Sequence, residues 1–76
     1  MKKAEISFAS LEDIKEFNRI TCSVDYNVEL ASGNYKVDAK SLVGLFTFDT
    51  NQRLDLTIYS DNYADYLSQI SKFLVD

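Results

Sequence analysis

Apolar and polar residues alternate over residues 3–8, with Ala4, Ile6 and Phe8 on one side and Lys3, Glu5 and Ser7 on the other. This predicts a short, half-buried strand. The period then lengthens. After Ser10, apolar residues fall at Leu11, Ile14, Phe17 and, one turn on, at Ile20 or Thr21, while Glu12, Asp13, Glu16 and Arg19 lie between them. That spacing predicts a helix with a single buried stripe. Ser10 followed by Asp13 three residues later resembles a capping box, and the acidic first turn suits the positive end of the helix dipole.

Alternation returns over residues 22–30. Cys22, Val24, Tyr26, Val28 and Leu30 face one way and Ser23, Asp25, Asn27 and Glu29 the other, predicting a second strand. Ala31-Ser32-Gly33-Asn34 closes a hairpin in which Gly33 or Asn34 takes a positive φ. Tyr35, Val37 and Ala39 alternate with Lys36 and Asp38 as a third strand, antiparallel to the second. At Ser41 the period changes again: Leu42, Leu45 and Phe46 stand at i, i+3 and i+4, so a helix starts there with Ser41 as its N-cap. Gly44 inside so short a helix costs about 1 kcal/mol against alanine, which implies that something lies close to the backbone at that point. Residues 49–52 form a polar loop, and Leu54, Leu56 and Ile58 alternate with Asp55, Thr57 and Tyr59 as a fourth strand. Ser60 or Asp61 then caps a last helix whose stripe is Tyr63, Leu67, Ile70 and Leu74, with Ala64 and Ser71 beside it.

The order is strand, helix, strand, strand, helix, strand, helix. One apolar face per strand and one stripe per helix predict an α+β open-faced sandwich, a four-stranded antiparallel sheet with all three helices on one side. A ferredoxin-like plan has a similar order, and pattern leaves both open.

Composition narrows the function classes. The chain has 76 residues, which suits a single domain spanning 1–76 with one small core. It contains no apolar run approaching the roughly eighteen residues of a membrane span, and no secretory leader is expected. A net charge of −4 with eight scattered Lys and Arg residues argues against a nucleic-acid partner, because phosphate neutralisation needs a basic face. The single cysteine, Cys22, cannot close an internal disulfide, so a reducing cytoplasm is the expected location. No metal or other cofactor is expected.

The run Lys40-Ser41-Leu42-Val43-Gly44-Leu45 resembles the Lys-Ser-hydrophobic-hydrophobic-Gly-hydrophobic motif of the histidine-containing phosphocarrier (HPr) family of the bacterial sugar phosphotransferase system. The similarity runs back without a gap through Gly33-Asn34-Tyr35-Lys36-Val37 and forward through the fourth strand and last helix. It implies the HPr arrangement of the sheet, a non-enzymatic carrier or regulator, and protein partners from carbohydrate uptake. In that family a histidine at the start of the first helix carries the phosphoryl group, followed by an arginine and a proline. Here those positions fall on Ser10, Glu12 and Asp13, and the sequence contains no histidine.

The departure is physical as well as formal. Three carboxylates, on Glu12, Asp13 and Glu16, oppose a phosphate by roughly 1 kcal/mol per close exposed pair. Ser10 is the vacated phosphoacceptor position. The serine that the family's dedicated kinase phosphorylates matches Ser41, so the resemblance implies regulatory phosphorylation there, set against its plain role as a cap. Lys40, Leu42, Val43, Gly44, Leu45 and Phe46 form the expected contact surface beside it. The expected function is an HPr-like module that has lost histidine phosphotransfer and works by binding proteins. The alternatives are a carrier exchanging phosphate through a serine, and a homodimeric interaction module unrelated to sugar transport. Elsewhere, Cys22 reads as a small core residue. Asp25, Asn27 and Glu29 read as a solvated strand face, and Tyr59, Tyr63 and Tyr66 as core cover, with Tyr66 the one suited to a self-association surface.

Overall fold

The structure, a computed structural model, describes residues 1–75. Its elements are β1 (Lys2–Ile6), α1 (Leu11–Thr21), β2 (Val28–Ser32), β3 (Tyr35–Asp38), α2 (Leu42–Leu45), β4 (Leu54–Ile58) and α3 (Ala64–Gln69), followed by a 3-10 turn at Ser71–Phe73. The four strands form one antiparallel sheet in the order β1-β4-β2-β3. This is the expected α+β open-faced sandwich.

Register explains why one face of the sheet is dry. Ile6 opposes Leu54, Ala4 opposes Leu56, Leu30 lies between Leu56 and Val37, and Val28 opposes Ile58. These residues share the side that the helices cover, and Ile6, Leu30, Leu56 and Ile58 are fully buried there. Glu5, Asp55, Glu29, Lys36 and Asp38 have the opposite parity and face solvent. From α1 the core receives Ile14, Phe17 and Ile20, and from the carboxyl-terminal segment Tyr66, Ile70 and Phe73. Phe8, Phe17 and Phe73 meet edge to face with centroids 5.2–5.9 Å apart, which fixes the 3-10 turn against α1. The β2–β3 hairpin turns on Gly33, at φ 60°, where a glycine is free of the Cβ penalty.

The second strand is shorter than its alternation predicts. It begins at Val28, not Cys22, because the end of α1 takes the backbone donors of the intervening residues. Cys22 N–H donates to Asn18 O, Ser23 N–H to Ile20 O and Val24 N–H to Thr21 O. Val24 and Tyr26 still pack on the core, so the apolar parity survives without a ladder. Cys22 is exposed, not buried. Leu11, placed on the buried stripe, is 58% exposed.

The last helix also departs from expectation. It starts at Ala64 after Tyr63, with no side-chain cap, while Ser60 Oγ accepts Asn62 N–H in a local turn at 3.0 Å. Its α-turns stop at Gln69 and the 3-10 turn shifts the phase, so Phe73 is buried and Leu74 is exposed. Tyr66 points inward and is 2% exposed, which removes it from any self-association surface.

Candidate functional site

The amino end of α1 is closed by its own side chains. Ser10 is extended, at φ −155° and ψ 168°, and its Oγ accepts Asp13 N–H at 3.3 Å. Asp13 Oδ2 in turn accepts Ala9 N–H at 3.0 Å, a capping box displaced by one residue. Glu12 is exposed and pairs with Lys15 at 3.6 Å. A group bound at this end would therefore compete with Ser10 and Asp13 for backbone donors and would face two carboxylates. Those features oppose an anion.

At α2, Ser41 Oγ accepts Gly44 N–H at 3.2 Å, so the serine caps the helix. Its hydroxyl is exposed. The helix has only four residues, and Gly44 is where it meets the sheet: a Cβ there would lie 3.3 Å from Val37 Cβ. This is the close approach that a glycine at position 44 implied. Asp38 organises the entry, its carboxylate accepting Lys40 N–H and its carbonyl accepting Ser41 N–H, each at 2.9 Å.

Not all of the expected contact surface lies at the surface. Leu45 is fully buried and points into the core, so it supports the patch from beneath and offers no contact. Lys40 Nζ donates to Val24 O at 2.7 Å, which draws the ammonium toward the end of α1 instead of leaving it free beside Ser41. Leu42, Val43 and Phe46 are exposed, at 36%, 79% and 41%. Tyr35 extends this apolar area: its hydroxyl donates to Thr47 Oγ1 at 2.9 Å, and Thr47 Oγ1 donates to Gly44 O at 2.6 Å. Alternation placed Tyr35 on a strand but gave no sign that it would reach across to α2.

Ser10 and Ser41 do not form one chemical site. Asn18 Nδ2 donates to Ala39 O at 3.3 Å, which sets the entry of α2 beside the carboxyl half of α1. Asn18 lies eight residues beyond Ser10, about 12 Å along the helix axis. The clear perturbations of acidity occur elsewhere. Burial pushes the Tyr66 hydroxyl up to about 12, opposed by its hydrogen bond to Thr21 and aided by nearby Tyr26. Burial, then Asp25 and Asp65, raise Tyr26. Among the described residues no group of three or more His, Cys, Asp or Glu side chains is placed to hold a metal. No helix of the described residues is long and apolar enough to cross a membrane.

Neither a protein-family model nor a curated protein matches the chain. Several solved structures do, among them the following two. One is HPr-C-His from Thermoanaerobacter tengcongensis, with a TM-score of 0.77, 19% identity, and coverage of 95% of this chain and 89% of that one. The other is Crh, the catabolite repression protein of Bacillus subtilis, described as an intertwined dimer with a swapping domain. Its TM-score is 0.66 at 17% identity, with coverage of 93% and 88%. At such identities the likeness is one of architecture, and the chain thus has the HPr-like fold over about 95% of its length.

Proposed function

We propose that this protein is an HPr-like module that has lost histidine phosphotransfer and acts by binding another protein of bacterial carbohydrate uptake or its regulation. The observation that carries this reading is the pairing of two facts. The chain has no histidine, with Ser10, Glu12 and Asp13 at the positions that the HPr motif would use. Yet α2 still presents an exposed serine beside exposed Leu42, Val43 and Phe46. Apolar side chains grouped on one short helix are suited to a protein partner.

Under this reading Ser41 is the switch. Phosphorylation would replace its hydroxyl with about two negative charges at neutral pH, next to the patch and close to Asp38. Lys40 would help neutralise them only by leaving Val24 O. A four-residue helix adds little dipole, so the effect on a partner would come mainly from charge and hydrogen bonding at the patch. A carrier using Ser10 is the weaker reading, because the carboxylates of Glu12 and Asp13 beside it oppose a phosphoryl group.

Intact-mass measurement tests the proposal. Incubation with phosphoenolpyruvate and the general phosphotransferase enzyme should leave the mass unchanged. Incubation with an HPr kinase and ATP should add a single phosphate, absent in Ser41→Ala. Phosphate transferred from phosphoenolpyruvate would overturn the loss of carrier function. No phosphate from the kinase would reduce Ser41 to a helix cap.

A further inference from the structure

Residues 22–27 connect α1 to β2 without joining the sheet. Their backbone is held at its two ends. Cys22, Ser23 and Val24 N–H turn back onto α1, and Asn27 O accepts Tyr59 N–H at 3.0 Å. Between these ends the side chains of Val24 and Tyr26 pack on the core, with the Tyr26 ring edge to face on Tyr66 at 6.2 Å.

This connection runs beside the entry of α2, and four hydrogen bonds form the seam. Asn18 Nδ2 donates to Ala39 O at 3.3 Å, Cys22 Sγ to Lys40 O at 3.5 Å, Lys40 Nζ to Val24 O at 2.7 Å and Ala39 N–H to Val28 O at 2.9 Å. Two of the four belong to Lys40. The bond from its ammonium is the one with a charged donor, and that donor sits on a flexible four-carbon stem. A new charge nearby can therefore draw it away.

We propose that Lys40 is a latch between Ser41 and the connection from α1 to β2. With Ser41 unmodified, its ammonium fastens the Val24 carbonyl; with Ser41 phosphorylated, it turns to the phosphate and lets residues 23–26 open. This deepens the reading of Ser41 as a phosphorylated switch and rests on it. In the modification Ser41 Oγ gives up its proton and bonds to the terminal phosphorus of ATP, and ADP leaves. The product carries about two negative charges one residue from Lys40.

Charge decides which acceptor holds the ammonium. A hydrogen bond to a phosphate is charged on both sides, whereas that to the Val24 carbonyl is charged on one, and the former is the stronger. Asp38 places a carboxylate in the same turn, accepting Lys40 N–H at 2.9 Å, which increases the demand for a cation there. The Val24 carbonyl is part-buried, so water takes the place of the ammonium only when the connection moves outward. A signal at Ser41 thus reaches the carboxyl end of α1, where Cys22, Ser23 and Asp25 are exposed.

The test uses chains synthesised with serine or phosphoserine at position 41, so a kinase that ignores Ser41 is a separate result. Amide hydrogen exchange followed by NMR reads the connection. Phosphoserine should speed exchange of Val24 N–H, which is bonded to Thr21 O at 3.3 Å, by about fivefold or more, while the amides paired between β2 and β4 keep their rates. Lys40→Met removes the ammonium and should show fast exchange with either residue at position 41. Phosphorus NMR reads the other end of the latch: the phosphate should ionise at lower pH in the native chain than in Lys40→Met, with Asp38 present in both. Should Lys40→Met fail to fold, Lys40→Gln takes its place. Equal exchange at Val24 with serine and phosphoserine would overturn the proposal. So would a phosphate that titrates alike with and without the Lys40 ammonium, or one that speeds exchange as much in Lys40→Met as in the native chain.

Discussion

Thr21 Oγ1 and the Tyr66 hydroxyl lie 2.6 Å apart in the core, joining the end of α1 to α3. Each is the partner that makes burial of the other tolerable, since an unpaired buried hydroxyl costs free energy. Tyr66→Phe should destabilise the fold by about 1–3 kcal/mol by orphaning Thr21, and Thr21→Val should do the same by orphaning Tyr66. The double variant should lose less than the sum of the singles. Urea unfolding of all four proteins gives the coupling directly, and strict additivity would mean that the contact contributes nothing.

The same residue makes the protein sensitive to alkali. Tyr66 is pushed up to about 12 by burial, whereas in the unfolded chain it ionises near the ordinary value of 10.0. Below pH 10 both states hold the proton and the contribution is fully present. As pH rises toward 12 the unfolded state deprotonates first, so stability falls, by on the order of 2 kcal/mol when both states are ionised. Tyr26, raised in the same direction, adds to the loss. Thermal unfolding between pH 8 and 12 should show the decline, and Tyr66→Phe should flatten it; an equal slope in that variant would assign the loss to other groups.

Gly44 lets α2 settle on β3. An alanine there would gain about 1 kcal/mol in helix propensity, but its Cβ would stand 3.3 Å from Val37 Cβ and 3.4 Å from Ser41 Oγ. Gly44→Ala should therefore fall short of that gain, and Gly44→Val should lose about 1–3 kcal/mol by overpacking. Chemical denaturation decides it. A full propensity gain in Gly44→Ala would show that the strand and helix can move apart freely.

Ser41→Ala removes the acceptor for Gly44 N–H and should cost about 1 kcal/mol of stability. Val43→Ser removes an exposed apolar side chain and should leave stability within about 0.5 kcal/mol of native. If the patch on α2 binds a protein, titration calorimetry with that partner should show weaker binding for Val43→Ser at unchanged stability. Equal affinity would take Val43 out of the interface.

Much of the fold is legible in local pattern. The change of period after Ser10 and again at Ser41, each at a serine that caps the helix it precedes, marks two helices without any tertiary information. Gly33 marks the hairpin in the same way. The end of β2 nearest α1 was not legible. Cys22, Val24 and Tyr26 keep strand parity, but periodicity reports which side chains face the core and is silent on where the backbone donors go. The reading of Tyr66 as core cover is borne out by its burial, whereas its second reading as a self-association surface fails for a related reason. A tyrosine on a helix flank has both an apolar ring and a polar tip, and only Thr21, 45 residues away in sequence, offers the partner that turns it inward.

The sequence by itself therefore determined the order of elements, two helix starts, the hairpin turn and the lack of any histidine, because each depends on residue identity or on spacing within a few positions. Tertiary structure decided which motif residues are surface and which are support. Leu45 sinks into the core while Val43 stands out, since α2 lies on β3 through Gly44. It also drew Lys40 to the carbonyl of Val24. Those outcomes follow from contacts between residues distant in the chain, where several partners are available to one side chain and packing selects among them.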